Sequence, residues 1–227
     1  MCGRAWQSIA GADMKRLFGV DLPPGFSPRY NLAPTQETLL VCEDGSRQAK
    51  LARWGLIASA EQPKSLSTFN ARVETVGRSP VFRDAFRARR ALIPLGGVYE
   101  WTGEKSRRSP LAITRSDGRP LVCAGLWNKL DGVLSCTILT TAPVGVFAEV
   151  HDRMPLLLPQ DRWDAWLDPT TSVAQVQALT APSELHRALR AYPVDPAVGN
   201  VCNDHPGLTE RFARFGVPSP TPPVQFQ

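Results

Sequence analysis

Alternating apolar and polar positions divide much of the chain into short strands separated by tight turns, three of them marked by Asp-Gly pairs. Asp44-Gly45 lies between Glu37–Glu43 and Gln48–Trp54. Asp117-Gly118 lies between Leu111–Thr114 and Leu121–Trp127, and Asp131-Gly132 separates that last segment from Val133–Thr141. Asp-Gly supplies the positive φ angles of a tight hairpin, so three antiparallel hairpins are expected. A further strand pair is expected over 90–101, broken near Gly96-Gly97. Helical signals are fewer. Asp13–Phe18 opens on a residue suited to capping, and Ser79-Pro80 opens a segment with Phe82 and Phe86 one turn apart. Gln160–Leu167 sets Trp163, Trp166 and Leu167 on one face and stops at Pro169, and Ser183–Arg190 opens on a Ser cap. The pattern predicts an α+β fold, a mainly antiparallel barrel-like sheet with peripheral helices. With no repeat and no linker, residues 1–217 are expected to form one domain, followed by a Pro-rich disordered tail over 218–227.

Composition narrows the classes. A chain of 227 residues can bury one sizeable core, and 43% hydrophobic with 21% charged residues fits a globular domain rather than a disordered one. No apolar run approaches the ~20 residues of a membrane-spanning helix, and the first residues lack the basic and apolar regions of a signal peptide. A cytoplasmic monomer without membrane contact is expected, nucleoid-associated in a bacterium. The net charge of +5 favours an anionic partner such as nucleic acid. Its clusters are Arg83, Arg87, Arg89 and Arg90, then Lys105, Arg107 and Arg108; each would serve equally as a solvated face. Five cysteines include no CxxC pair, and three histidines complete no legible zinc site, so no metal or cofactor is expected. Cys42, Cys123 and Cys136 sit inside apolar runs and read as core.

Cys2 stands apart because it follows the initiator methionine. Removal of Met1 would put a thiol (pKa ~8.5) and an α-amine (pKa ~7.7) on one residue, both partly nucleophilic near neutral pH. Such a 1,2-aminothiol condenses with an aldehyde: the amine forms an imine, and the thiol closes a five-membered thiazolidine. An internal cysteine has no free amine and cannot do this. An accident of sequence is the plain alternative.

Other segments bear on that choice. Thr68–Thr75 is a polar cluster flanked by hydrophobic residues. Within Gly97–Trp101, Glu100 stands among bulky apolar neighbours; burial would raise its pKa and suit it to proton transfer, whereas an exposed edge-strand Glu would be ordinary. His151, Asp152 and Arg153 follow the strand ending at Thr141, offering an imidazole for acid–base work and a guanidinium for phosphate. A lone loop histidine is more often structural.

Eight pieces in order resemble the SOS-response-associated peptidase family, whose members process abasic sites. They are Met1-Cys2-Gly3-Arg4, Tyr30-Asn31-Leu32-Ala33-Pro34, Arg53-Trp54-Gly55-Leu56-Ile57, Asn70-Ala71-Arg72-Val73-Glu74-Thr75, Tyr99-Glu100-Trp101, Ala124-Gly125-Leu126-Trp127, His151-Asp152-Arg153-Met154-Pro155 and Val198-Gly199-Asn200-Val201. The resemblance implies a DNA-repair protein that captures the abasic aldehyde of single-stranded DNA as a covalent DNA–protein crosslink. It implies that Cys2 is the nucleophile, that Asn70 holds the amine and the sugar, and that Glu100 is the acid–base carboxylate. It assigns sugar-ring opening and crosslink reversal to His151, and phosphate binding to Arg4, Arg72 and Arg153. Proteolysis is expected only of its own Met1, autocatalytically or by an aminopeptidase; strand cleavage of the lyase type stays open, as do partners in the replication machinery. The stretch Ile57–Lys64 departs from the family in having no aromatic residue before Phe69, which puts junction preference in question. Two other classes remain: a glutaminase-like N-terminal-nucleophile amidohydrolase, which also begins Cys-Gly, and a non-enzymatic single-stranded DNA-binding module.

Overall fold

The computed structural model describes residues 3–61, 67–103, 108–181 and 183–212. Cys2, Lys105, Arg107 and the expected tail 218–227 lie outside the described residues. The strands are β1 (Ala5–Gln7), β2 (Arg29–Leu32), β3 (Glu37–Asp44), β4 (Ser46–Trp54), β5 (Asn70–Arg72) and β6 (Arg90–Leu95). They continue as β7 (Gly97–Thr102), β8 (Ser109–Arg115), β9 (Leu121–Leu130), β10 (Val133–Thr141), β11 (Met154–Pro155) and β12 (Leu189–Pro193). Helices are α1 (Gly11–Phe18), α2 (Arg83–Ala88), α3 (Trp163–Leu167) and α4 (Val173–Leu179). None of these is long and apolar enough to cross a membrane.

Strands β4, β3, β6, β9 and β10 pair in turn, and β10 returns to β4 in parallel at Ser135↔Arg53 and Cys136↔Trp54. This closes a five-stranded ring, so the barrel-like α+β expectation holds. Alternate residues feed two cores. Leu40, Cys42, Ile93, Cys123, Cys136 and Ile138 pack with Ala5, Leu32, Val98 and Ile113 of a second sheet, ordered β12-β8-β7-β1-β2. Leu39, Val41, Leu92, Ala124 and Leu139 face the other way, under Met14 and Phe18 of α1, Phe86 of α2 and Trp166 of α3. Burial on both faces explains why β3, β6 and β9 read as apolar runs. The three core cysteines are spent here: burial pushes the thiols of Cys42 and Cys123 up to about 11 and about 12, so they stay protonated.

Two of the three expected hairpins form. β3–β4 turns at Gly45 and β9–β10 at Asp131-Gly132, where both residues have positive φ (49° and 81°). Asp117-Gly118 is a correction: β8 pairs with β7 and β12, while β9 pairs with β6 and β10, so this turn carries the chain between sheets. The expected pair over 90–101 is likewise split, β6 belonging to the ring and β7 to the second sheet.

Helix starts also differ. α1 begins at Gly11 after Ala10, which leaves Asp13 inside the first turn, favouring the positive helix end rather than capping it. α2 begins three residues after Pro80, and Gln160–Arg162 is a 3₁₀ turn preceding α3. Ser183–Arg190 is a 3₁₀ turn (Glu184–Ala188) running into β12, with no cap bond from Ser183. The unforeseen α4 has a full capping box from Ser172 and Gln175. Arg90 is no surface cation. It is 1% exposed and donates to the carbonyls of Phe86 (2.9 Å), Arg87, Trp166 (2.7 Å) and Asp168, joining the C-terminal ends of α2 and α3.

Candidate active site

Two anchors fix the start of the described chain. β1 pairs with β7 at Ala5↔Val98 and Trp6↔Gly97, and the Tyr99 amide donates to Arg4 O at 2.9 Å. Trp6 lies flat on Gly96-Gly97: a Cβ at Gly97 would fall 2.0 Å from its Cη2. Only glycine leaves room for that ring. The second anchor is Asn31, fully buried on β2. Its Nδ2 donates to Val198 O (3.1 Å), Asn200 O (3.0 Å) and Asn203 O (2.8 Å), while its Oδ1 accepts from Arg4 Nη1 at 2.8 Å. Arg4 Nη1 also donates to Val198 O (2.7 Å), and Asp204 ties back through Tyr30 N (2.6 Å) and Arg29. The 198–204 segment is thereby fastened over Tyr99 and Trp6.

A cleft of about 470 Å³ opens beside these anchors. Gly3 and Arg4 form one side and Tyr99, Glu100 and Trp101 of β7 another; Arg108, just before β8, and Val150, His151 and Asp152 complete it. Glu100 is 5% exposed, and its Oε1 is buried without a hydrogen-bond donor among the described residues. Burial pushes its carboxyl up to about 7, Asp152 adds to the rise, and the positive charge of the amino terminus opposes it. Its neutral and ionised forms are therefore both populated near neutral pH, a requirement for shuttling a proton.

His151 Nδ1 accepts from Arg153 N (3.0 Å) and lies 2.6 Å from Asp152 Oδ1. These contacts belong to different protonation states: the amide needs a bare Nδ1, the carboxylate a protonated one. Burial lowers the pKa of His151 first, the amino-terminal charge and Arg108 lower it further, and exposed Asp152 only partly offsets this. The neutral ring is favoured.

β5 runs parallel to β10 with Asn70↔Ile138 and Arg72↔Thr140, and β11 joins the other side at Thr140↔Pro155. Asn70 is buried and Arg72 exposed. Arg153 grips both oxygens of Glu74 (2.7 and 2.9 Å) and donates to Thr140 O (2.6 Å). This bond holds the carboxyl of Glu74 below its usual range.

A family model described as SOS response associated peptidase (SRAP) matches residues 1–201. The chain belongs to that family. It is 34% identical over 224 residues to the abasic site processing protein YoqW of Bacillus subtilis, covering 92% of this chain and 99% of the relative. It is 30% identical to the abasic site processing protein YedK of Escherichia coli, covering 89% and 96%. A solved structure from Bacteroides thetaiotaomicron, 21% identical, shares the fold with a TM-score of 0.81 over 93% of this chain and all of the other.

Of the residues that the SRAP resemblance singled out, the cleft unites Arg4, Glu100 and His151, and Gly3 lines it beside Arg4. Asn70, Arg72 and Arg153 sit on the neighbouring β5–β10–β11 edge and do not line the cleft. Sequence reasoning missed Arg108, visible only as part of a basic run, and the organising role of Asn31, whose motif was noted without a function.

Proposed function

We propose that this SRAP protein processes abasic sites in single-stranded DNA by forming a thiazolidine between Cys2, freed of Met1, and the ring-opened deoxyribose. The observation that carries the proposal is the placement of Gly3 in one cleft with Glu100 and His151. The relatives named as abasic site processing proteins supply the substrate class.

The steps balance without an oxidant. His151 passes its Nε2 proton to the sugar ring oxygen as the ring opens to the aldehyde, and the proton leaving the anomeric hydroxyl returns to the imidazole, so the ring opens with no net proton change. The Cys2 amine attacks the carbonyl carbon; Glu100 carries one amine proton to the resulting alkoxide, then the second to the hydroxyl so formed, and water leaves with an imine in its place. The thiol then adds to the imine carbon, its hydrogen passing to nitrogen. One water leaves in all. Arg4, Arg72 and Arg153 are the proposed phosphate contacts. Arg4 reaches the cleft with one nitrogen tied to Asn31, Arg72 is exposed, and Arg153 would have to share its fork with Glu74.

A denaturing gel with glycosylase-treated uracil-containing single-stranded DNA tests this. An adduct should form with abasic DNA, none with intact DNA, and none with Cys2→Ala or with Met1 retained; equal yield from Cys2→Ala rejects the mechanism. Release of ammonia from glutamine would point instead to an amidohydrolase. His151→Ala should slow both formation and release, with binding unchanged; wild-type rates for both would make the histidine structural. Arg72→Ala should lower the salt slope of single-stranded DNA binding by about 0.7, the loss expected for one phosphate contact. An unchanged slope would place the phosphates elsewhere.

A further inference from the structure

β12 is an edge of the second sheet, and it carries a cationic group that the cleft chemistry does not use. The guanidinium carbons of Arg190 and Arg211 lie 5.8 and 5.5 Å from the centroid of the Tyr192 ring. Both arginines are exposed, and among the described residues neither guanidinium has a carboxylate partner or a hydrogen bond. Nearby Arg187, by contrast, is paired with Glu184 at 2.6 Å. The Tyr192 hydroxyl donates to Thr209 O at 2.7 Å, which fixes the ring. Stacking occupies the face of a guanidinium and leaves its edge donors for phosphate oxygens, while limiting the side-chain freedom lost on binding.

In the sheet this group lies near the cleft, with Ala112 and Tyr99 between them buried under Val198 and Leu208. Tyr192 registers with Ala112 on β8 and Ala112 with Tyr99, a cleft residue, on β7. Two strand spacings separate them, roughly 10 Å. Arg108, exposed at the cleft, leads into β8, where Val194 N donates to Pro110 O (3.2 Å). Phe212 N donates to Pro193 O (2.8 Å), which sets Arg211 beside the same strand end. Arg108, Arg211 and Arg190 therefore lead outward from the cleft along one sheet edge.

We infer that single-stranded DNA flanking the nucleotide in the cleft runs outward over this edge, its phosphates held by Arg108 and by the Tyr192-braced pair Arg190 and Arg211. The inference rests on the proposed abasic-DNA activity. Its test compares the parent protein with Arg190→Ala/Arg211→Ala on two substrates, an abasic trinucleotide and an abasic oligonucleotide of roughly twelve nucleotides. Arg87→Ala/Arg119→Ala, two exposed arginines elsewhere, controls for net charge. The salt slope for binding the longer strand should fall by about 1.4 in the first variant, two contacts at ~0.7 each, and hold in the control. Adduct rates on the trinucleotide should match the parent. An unchanged slope, an equal fall in the control, or an equal loss on the trinucleotide overturns the track. Retained DNA slope with lost binding of a polyglutamate peptide would assign the edge to an acidic protein and also overturn it. Absence of any adduct from the parent would reject the abasic-site proposal instead, and the slopes on intact single-stranded DNA would still decide the track.

Discussion

Glu100→Gln should make the protein more stable and its chemistry slower. In the folded chain the Glu100 carboxyl titrates at about 7 instead of 4.5, because burial penalises its charge. Below about pH 4.5 both folded and unfolded chains hold the proton, and the carboxyl places no pH dependence on folding. As pH rises, the unfolded chain releases its proton while the folded one keeps it, so stability falls until about pH 7 and then levels. The full difference corresponds to about 3 kcal/mol. Glutamine is neutral at every pH and of similar shape, so Glu100→Gln should gain up to that amount near pH 8 and almost nothing near pH 4. Adduct formation should fall sharply at the same time, because the amide cannot accept a proton. Urea titrations at the two pH values give the difference; equal stabilities at both would mean that the carboxyl is not held as described.

Arg90 should be the costliest arginine to replace. α2 has six residues and α3 five, far below the length at which a helix persists alone. Each ends in carbonyls with no partner in its own helix, at the negative end of the helix dipole. Arg90 answers both ends from the core. Arg90→Met leaves several buried carbonyls without a donor at about 1–3 kcal/mol each, so a loss of at least about 3 kcal/mol is expected. Arg90→Lys should recover little, since one compact ammonium cannot span two helix ends as the guanidinium fork does. A loss below about 1 kcal/mol for Arg90→Met would show that water or rearranged backbone satisfies those carbonyls.

The same arginine shows where sequence stops being informative. A basic run names its residues but not their direction, and Arg90 turns inward while exposed Arg87 does not. Asp-Gly turns behave alike: each marks a reversal, but whether the flanking strands pair is settled by distant partners, as β6 and β7 settle it around Asp117-Gly118. β1, β5 and β11 are two or three residues long and exist through their neighbours, so periodicity had nothing to detect. α4 was legible, since Ser172 and Gln175 are a capping signature, and was overlooked. Glu100 was legible because its neighbours are bulky, and it is buried. The resemblance implies a phosphate ligand at Arg153, and nothing local announces the carboxylate of Glu74, 79 positions away, that grips it.

The central claim concerns one residue, and mapping the crosslink tests it most directly. After reaction with abasic single-stranded DNA, nuclease digestion and proteolysis, mass spectrometry should find the sugar remnant on an amino-terminal peptide that begins at Cys2 and lacks Met1. Its mass should be that of peptide plus sugar fragment less one water. The thiol should resist alkylation and the linkage should resist borohydride, since a thiazolidine has neither a free thiol nor an imine. A remnant on a lysine, an imine trapped by borohydride, or an adducted peptide that still carries Met1 would contradict the account.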